Sequence, residues 1–198
     1  MCNKKEDRRV QRTRNMLFEA FMDLLLEKGY DAITVQDIID GANVGRSTFY
    51  SHFTDKEHLL RDSIDQLKGF LKEQSLHRPE TTVSGEYRFG FSLGMLEHIQ
   101  SHKRIYKATV SKKGGAMVLQ QMQRMLGDLV RDEITVLFPS STGLTLTPEL
   151  IVEYVVNTFL TLMTWWVGGS GPASAAELDK LFHQLTLTGL KGLEPSKK

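Results

Sequence analysis

Six of seven consecutive residues carry polar side chains that can donate hydrogen bonds, none of them carries a carboxylate, and five are candidates for binding a partner molecule. They are Arg46, Ser47, Thr48, Tyr50 and His52. Guanidinium, hydroxyl and imidazole groups of this kind bind phosphate oxygens and the edges of bases. Phe49 and Phe53 stand four residues apart in the same run, which is the spacing of a helix side that faces a core. The pattern predicts a short helix whose polar side is free to meet a nucleic acid.

The preceding residues supply two helices that would hold this polar helix in place. One apolar stripe has the spacing of a helix that ends near Gly29, and another helix begins at Thr34, where Asp37 follows three residues later as in a capping box. Asn43 tolerates the left-handed backbone of a tight turn. Three helices in this order predict a helix-turn-helix, whose last helix enters the major groove of DNA. The two apolar stripes consist of Leu17, Ala20, Phe21, Leu24 and Leu25, and of Val35, Ile38, Ile39 and Ala42.

The segment from Thr34 to Leu60, TVQDIIDGANVGRSTFYSHFTDKEHLL, resembles the DNA-binding signature of the TetR family of bacterial repressors. The resemblance extends over about Arg9 to Leu67 and depends on Thr-Phe-Tyr, His-Phe, Lys-Glu and Leu-Leu recurring in order and spacing. Two positions depart from the family pattern. Asn43 replaces the usual glycine, and Gly45 occupies a position where a small polar residue is common, so we expect one side-chain phosphate contact to be lost.

The resemblance implies roles for the residues at matching positions. Two residues at the start of the second helix would meet the DNA backbone or a base edge, three would face the groove, and two would hold phosphates. Lys56, at the start of the fourth helix, would add a phosphate contact helped by the helix dipole. Arg46 is the candidate for a direct guanine contact, because a guanidinium can bond O6 and N7 together. The two residues at the start of the second helix are Thr34 and Gln36. Those that would face the groove are Arg46, Ser47 and Thr48, and those that would hold phosphates are Tyr50 and His52.

Charge is distributed unevenly along the 198 residues, although the formal net charge is only +1. Residues 1–14 contain six basic and two acidic side chains, a net charge of +4, which leaves −3 for the remainder. This total excludes a globally basic, histone-like protein but not a local basic patch. By the resemblance, Arg8, Arg9 and Arg12 form a basic arm that would add charge beside DNA.

The remainder of the chain also has helical patterns. Thr54 or Asp55 caps a fourth helix, residues 77–85 break the pattern, and further helices are expected near 86–101, 103–110, 115–138, 148–168 and 174–192. Sustained two-residue alternation is absent from the sequence, so we predict an all-α fold of about nine helices. The resemblance divides it into an N-terminal arm and helix-turn-helix domain at 1–55, a connecting helix at 56–78, and a larger helical ligand-binding and dimerisation domain at 79–198.

The last two helices predict a homodimer. The helix at 148–168 is apolar nearly all round, so it needs partners on every side. Leu178, Leu181, Phe182 and Leu185 form a stripe on the final helix. Two such helices from each of two subunits make a four-helix interface with two-fold symmetry, and such a dimer fits a palindromic operator.

Aromatic and methionine side chains of the second domain would line a pocket for a small, mostly apolar effector. Glu153 and Asn157 would need polar partners if buried, and they could either anchor a ligand or satisfy neighbouring groups across the dimer. His98 and His102 share a helix face and have a spacing that can bind a metal, but no third ligand is evident. The candidate pocket residues are Phe70, Phe91, Met95, His98, Tyr106, Met122, Phe159, Met163 and Trp166.

Together these features predict a ligand-responsive, dimeric DNA-binding regulator, a repressor, without a cofactor. One alternative is a DNA-binding regulator that a protein partner controls without a small-molecule inducer. An enzyme is disfavoured because the sequence has no nucleophile elbow, phosphate loop or supported carboxylate pair. The single cysteine, Cys2, excludes internal disulfides and cysteine-rich zinc sites. No signal peptide is visible and the helix at 148–168 contains polar residues, so we expect a cytoplasmic protein without a membrane span.

Overall fold

A computed structural model describes residues 4–76, 87–111, 115–137, 146–169 and 172–191. These residues form nine α-helices and one short 3-10 turn, which confirms the all-α prediction. The 3-10 turn is Tyr30–Ala32. The helices are α1 Lys4–Lys28, α2 Val35–Gly41, α3 Arg46–His52, α4 Lys56–Leu76, α5 Gly90–Ser101, α6 Lys103–Ser111, α7 Ala116–Leu137, α8 Pro148–Val167 and α9 Ala175–Lys191.

Local signals explain where the first four helices begin and end. Gly29, with φ 77°, follows α1, and Asn43, with φ 50°, forms the left-handed turn between α2 and α3. Thr34 and Asp37 form a complete capping box at the start of α2. Asp55 caps α4, because its Oδ1 accepts a 2.6 Å hydrogen bond from the backbone N–H of His58.

The basic residues that were expected to form an arm lie within a helix instead. Because α1 already begins at Lys4, Arg8, Arg9 and Arg12 are part of it and are exposed. Charged side chains are compatible with a solvated helix as well as with an arm, so the composition of this segment alone did not distinguish the two conformations.

The described residues pack into two compact units. The first comprises Met1–Asp65 and Arg104–Leu119, and the second comprises Gln66–Lys103 and Gln120–Lys198. The domain limits expected from the sequence stay predictions. The core of the first unit includes Leu17, Phe21, Ile38, Phe49, Phe53 and Leu60.

The second unit is built around aromatic rings. Phe89, Phe91, Phe159 and Phe182 are buried, and their ring centroids lie 5.3–6.2 Å apart in tilted or edge-to-face pairs. Gly90 begins α5, four residues later than the sequence predicts, and it allows a close crossing with α4. A Cβ placed on Gly90 would lie only 2.7 Å from the Cβ of Ser75.

Two ion pairs join the C-terminal half of α4 to α7. Lys68 Nζ lies 2.7 Å from Asp128 Oδ2, and Lys72 Nζ lies 2.9 Å from Asp132 Oδ2. The hydrogen bond from Lys68 holds the pKa of the Asp128 carboxyl below its usual value. The pairs recur every four residues on both helices, so the two helices run in parallel here.

Helix α8 has one side buried within this chain, so partners on its other side would have to come from a second subunit and stay a prediction. Its buried side includes Val155, Phe159 and Met163, whereas Glu153 and Asn157 are exposed. These two polar residues lie four residues apart on the side turned away from the core of this chain, so their burial against a partner subunit stays a prediction. Within the described ranges, only α8 is long and apolar enough to cross a membrane, and a buried core helix has the same properties.

Candidate nucleic-acid interface and effector region

The polar run identified in the sequence lies on α3. Phe49 is fully buried, and Phe53, which follows the helix, is 1% exposed. Arg46, Ser47 and Tyr50 are exposed, while Thr48 and His52 are half-buried. The helix therefore presents donors on its outer side and fixes its inner side in the core, as the spacing of the phenylalanines predicts. Their contacts with DNA stay predictions.

Aromatic contacts orient the exposed end of α3. The guanidinium carbon of Arg46 lies 5.8 Å from the centre of the Tyr50 ring, a cation–π distance. The Tyr50 ring in turn packs edge-to-face on Phe49, with 5.4 Å between their centroids. Phe49 is anchored in the core, so the ring contacts connect the core to the Arg46 side chain.

At the start of α2, the hydroxyl of Thr34 forms its hydrogen bonds within the protein. It donates to Asp37 Oδ2 at 2.6 Å and accepts from the backbone N–H of Asp37 at 3.2 Å. Lys28 Nζ reaches the same carboxylate at 2.7 Å. The hydrogen bonds from Lys28 and Thr34 hold the pKa of the Asp37 carboxyl well below its usual range. One amide proton of Gln36 is also used, because its Nε2 donates to Asp40 Oδ1 at 2.8 Å.

The side chain of Lys56 donates hydrogen bonds to backbone carbonyls of the same chain. Its ammonium lies 2.8 Å from the carbonyl oxygen of Ile33 and 3.0 Å from that of Tyr30. A contact of this side chain with a phosphate therefore stays a prediction, and it would compete with these carbonyls.

His52 lies beside a cation that the sequence analysis missed. Partial burial, and secondarily the positive charge of Arg14, lowers the pKa of His52. Arg14 forms an ion pair with Asp62 and lies 5.2 Å from the centre of the Phe53 ring. Arg14 is on α1, about forty residues before its neighbours, so no local pattern indicated this contact. The lowered pKa favours the neutral form of His52, whose ring can both donate and accept a hydrogen bond.

Six of the predicted pocket residues are buried within the second unit, at 0–2% exposure. They are Phe91, Met95, Met122, Phe159, Met163 and Trp166. Phe91 and Phe159 belong to the aromatic core, and the indole N–H of Trp166 donates to the carbonyl of Ala173 at 2.7 Å. Phe70 is 44% exposed, so it is not part of this buried set, and its place in a pocket stays a prediction. Tyr106 is buried in the first unit, and burial raises the pKa of its phenol.

His98 is a half-buried histidine at the edge of this apolar set. Burial, and secondarily the nearby His102, lowers the pKa of His98 to about 4. The two imidazole rings lie 4.4 Å apart, and the Phe70 ring lies 6.4 Å from His98. Within the part of the chain that the structure describes, no three His, Cys, Asp or Glu side chains are grouped to hold a metal ion.

A buried polar network at the start of α5 was not indicated by the sequence. The backbone N–H of Phe89 donates to His183 Nε2 at 2.9 Å, and that of Gly90 donates to the Glu133 carboxylate at 3.1 Å. The hydroxyl of Ser92 lies 2.5 Å from Asp179 Oδ1. His183 Nδ1 lies 2.7 Å from the Asp179 carbonyl, so the neutral Nδ1–H tautomer satisfies both of its ring nitrogens. Burial lowers the pKa of His183, and Asp179 opposes that shift.

Known proteins resemble both parts of the chain. Residues 17–62 match the family described as "Bacterial regulatory proteins, tetR family", and residues 89–188 match "Transcriptional regulator C-terminal region". The repressor KstR2 of Mycobacterium tuberculosis is 25% identical over 198 residues, which cover 91% of this chain and 94% of KstR2. The Bacillus subtilis regulator YxbF is 48% identical over 64 residues, which are 32% of this chain and only 17% of YxbF.

Solved structures share the fold along most of the chain. A putative TetR-family regulator from Syntrophomonas wolfei has a TM-score of 0.72 at 17% identity, covering 94% of this chain and 99% of its own. FadR of Thermus thermophilus, solved in complex with lauroyl-CoA, has a TM-score of 0.58 at 19% identity, covering 89% and 94%. The proteins of this family are DNA-binding transcriptional regulators and not enzymes. The matches at 17–62 and 89–188, together with the helix-turn-helix of α2 and α3, show that the chain belongs to the TetR family of bacterial transcriptional regulators.

Proposed function

We propose that the protein is a dimeric repressor that binds a palindromic operator through α3 and is released by a small, mostly apolar effector. The observation that carries the proposal is the outer side of α3, where Arg46, Ser47 and Tyr50 are exposed over a core that fixes the helix. These side chains are suited to phosphates and base edges. The matching positions in the family support the same assignment for Gln36, Thr48 and His52.

An exposed apolar surface on the last two helices supports the dimer. Tyr154 and Trp165 on α8, and Leu181 and Leu185 on α9, are 37–47% exposed although all are large and apolar. The Tyr154 hydroxyl donates to the carbonyl of Leu185 at 3.2 Å, so the two helices present this surface together. Two copies related by a two-fold axis would remove it from water.

The composition of the second unit supports an apolar effector. Met95, Met122 and Met163 are flexible side chains that can repack around a ligand, and His98 is neutral at pH 7 because its pKa is about 4. None of these groups would pair with a strongly charged ligand. The lauroyl-CoA complex of the Thermus protein supports a small-molecule ligand for a protein of this fold.

One observation favours the alternative, in which a protein partner controls DNA binding. Six of the nine proposed lining residues are almost completely buried, and the ring centroids of Phe91 and Phe159 lie only 5.3 Å apart. An effector would have to open this interior, whereas a partner that binds the surface would not.

The experiment begins by selecting the operator from random duplex DNA with the purified protein. Anisotropy titrations then compare the wild type with a variant that carries both Arg46→Ala and Tyr50→Phe. Unchanged operator affinity in the variant would contradict the assignment of α3. Native mass spectrometry of the protein purified from its host, before and after organic extraction, tests for an effector. A bound small molecule that weakens operator binding supports the proposed control, and a ligand that saturates the protein without changing affinity refutes it.

A further inference from the structure

The ammonium group of Lys56 occupies a site made of backbone carbonyls. Lys56 is the first residue of α4, and its Nζ donates to Ile33 O at 2.8 Å and to Tyr30 O at 3.0 Å, with Asp31 O at 3.5 Å. The same Nζ lies 4.6 Å from the centre of the Tyr30 ring. Three carbonyls and one aromatic face therefore surround a group that has three protons to donate.

The carbonyls belong to a turn that is itself fixed in the core of the first unit. Tyr30 is 3% exposed, and its ring packs edge-to-face on Phe21 with 6.2 Å between centroids. Moving the Lys56 ammonium to an outside phosphate would leave the partly buried carbonyls of Tyr30 and Ile33 without this donor. Such an exchange costs free energy, because polar groups that have left water need replacement partners.

This contact connects the two elements that enclose the recognition helix. The turn Tyr30–Ala32 leads directly to Thr34, the N-cap of α2. Lys56 follows the end of α3 by four residues, and Asp55 fixes the first turn of α4 beside it. The lysine thus ties the start of α4 to the start of α2, and α3 lies between these two fixed points along the chain.

We propose that Lys56 is a positioning residue for DNA recognition, which fixes the α2–α3 pair through the turn carbonyls and does not contact a phosphate. The proposal rests on the operator binding proposed above. It differs from the phosphate contact that the family resemblance implies for this position. A positioning lysine changes the geometry of the interface but not the number of phosphates that the protein neutralises.

Salt dependence of operator binding separates the two roles. The slope of log K against log salt reports the number of neutralised phosphates, about 0.9 for each contact on duplex DNA. For Lys56→Met we expect an affinity at least fivefold weaker at every salt concentration, with the wild-type slope. A slope smaller by about 1.8, which is about 0.9 for each subunit of a dimer, would overturn the proposal.

Two variants serve as controls. Lys72→Met removes the same type of side chain from α4 at an exposed ion pair of the second unit, and it should leave both affinity and slope unchanged. Lys56→Arg keeps a cation that can donate to two carbonyls, so it should recover most of the affinity lost in Lys56→Met. If Lys56→Arg binds as weakly as Lys56→Met, the carbonyl contact does not set the affinity and the proposal fails.

A measurement on the unmodified protein guards against a variant that does not fold. With lysine labelled with ¹⁵N at Nζ, and with labelled carbonyl carbons at Tyr30 and Ile33, nuclear magnetic resonance can follow the contact during operator titration. We expect a protected Lys56 ammonium signal that keeps its shift when DNA binds. A shift of the Nζ signal to that of a phosphate contact, with concerted movement of both carbonyl signals, would overturn the proposal. Absence of any operator binding by the wild type would instead refute the proposed function.

Discussion

The Tyr50 ring lies 5.8 Å from the guanidinium carbon of Arg46, one helical turn earlier on α3. If the ring orients the guanidinium, the aromatic face matters more than the hydroxyl. We therefore expect Tyr50→Leu to weaken operator binding about fivefold to thirtyfold, the equivalent of about 1–2 kcal/mol for a desolvated cation–π contact. Tyr50→Phe should lose less, because it retains the ring.

Anisotropy titrations with the selected operator measure both affinities. Operators in which the guanine proposed for Arg46 is replaced supply the control, since Tyr50→Leu should discriminate less against them than the wild type does. Equal losses for Tyr50→Phe and Tyr50→Leu would show that the hydroxyl, as a phosphate ligand, is the important group.

The close crossing of α4 and α5 predicts a steric effect at Gly90. The added methyl group of Gly90→Ala would lie 2.7 Å from the Cβ of Ser75, which is too close for two carbons. We expect Gly90→Ala to lower the free energy of unfolding by about 1–3 kcal/mol, as overpacking does. Urea denaturation of the purified protein measures this change.

A second substitution at the same crossing tests the cause. Ser75→Gly removes the atom that clashes, so the double variant should be more stable than the sum of the two single effects. Additive losses would mean that Gly90→Ala acts through the start of α5 and not through contact with α4.

The lowered pKa of His98 predicts a loss of stability in acid. Because its pKa falls from an ordinary value near 6.5 to about 4, the unfolded chain binds the proton more readily than the folded chain. The contribution is therefore complete above about pH 6.5 and declines as pH falls towards about 4. The slope is at most about 1.4 kcal/mol per pH unit, reduced by solvent screening because the side chain is partly exposed.

Denaturation midpoints between about pH 7.5 and about pH 4.5, a range of about three units that includes most of this titration, provide the measurement. In His98→Gln the loss of stability between neutral and acidic pH should be smaller than in the wild type. His102→Gln is the matched control: it removes only the secondary cause of the shift and should retain most of the loss. An unchanged pH profile in His98→Gln would assign the acid sensitivity to another group, such as His183.

The exposed apolar side of α8 and α9 predicts an association that a single charge can disrupt. Leu185 is 47% exposed beside Tyr154, so Leu185→Asp places a carboxylate within the proposed two-fold interface. We expect the wild type to sediment with about twice the 22.5 kDa mass of the chain, and the variant to sediment as a monomer at micromolar concentration.

Leu76→Asp provides the comparison, because Leu76 is 84% exposed on α4 and lies outside that surface. It should leave the sedimentation of the wild type unchanged. A wild type that is monomeric at all concentrations would remove the basis for a dimer through these helices.

Features that depend on neighbours in sequence were predictable. Helical spacing predicted the burial of Phe49 on α3 and of Phe53 directly after it, and residue types alone indicated the turn at Asn43 and a cap at Thr54 or Asp55, of which the structure uses Asp55. Each of these is determined within about four residues, the span over which periodicity and capping act.

Features that depend on tertiary packing were not predictable. Both sides of α8 are apolar, so hydropathy could not tell that Glu153 and Asn157 lie on the exposed one. Lys56 looks like a surface cation until the carbonyls of a turn more than twenty residues earlier are brought to it. His183 likewise becomes a hydrogen-bond acceptor only because Phe89 lies beside it in the folded unit.

The ion pairs Lys68–Asp128 and Lys72–Asp132 have the same offset along the chain. A slide of this α4 segment along α7 by part of a turn breaks both pairs at once. A slide of four residues, about 6 Å, restores one of them, because Lys68 then meets Asp132 or Lys72 meets Asp128. The two ion pairs therefore favour the observed register of these helix segments over intermediate ones, by the small free energy that exposed ion pairs contribute.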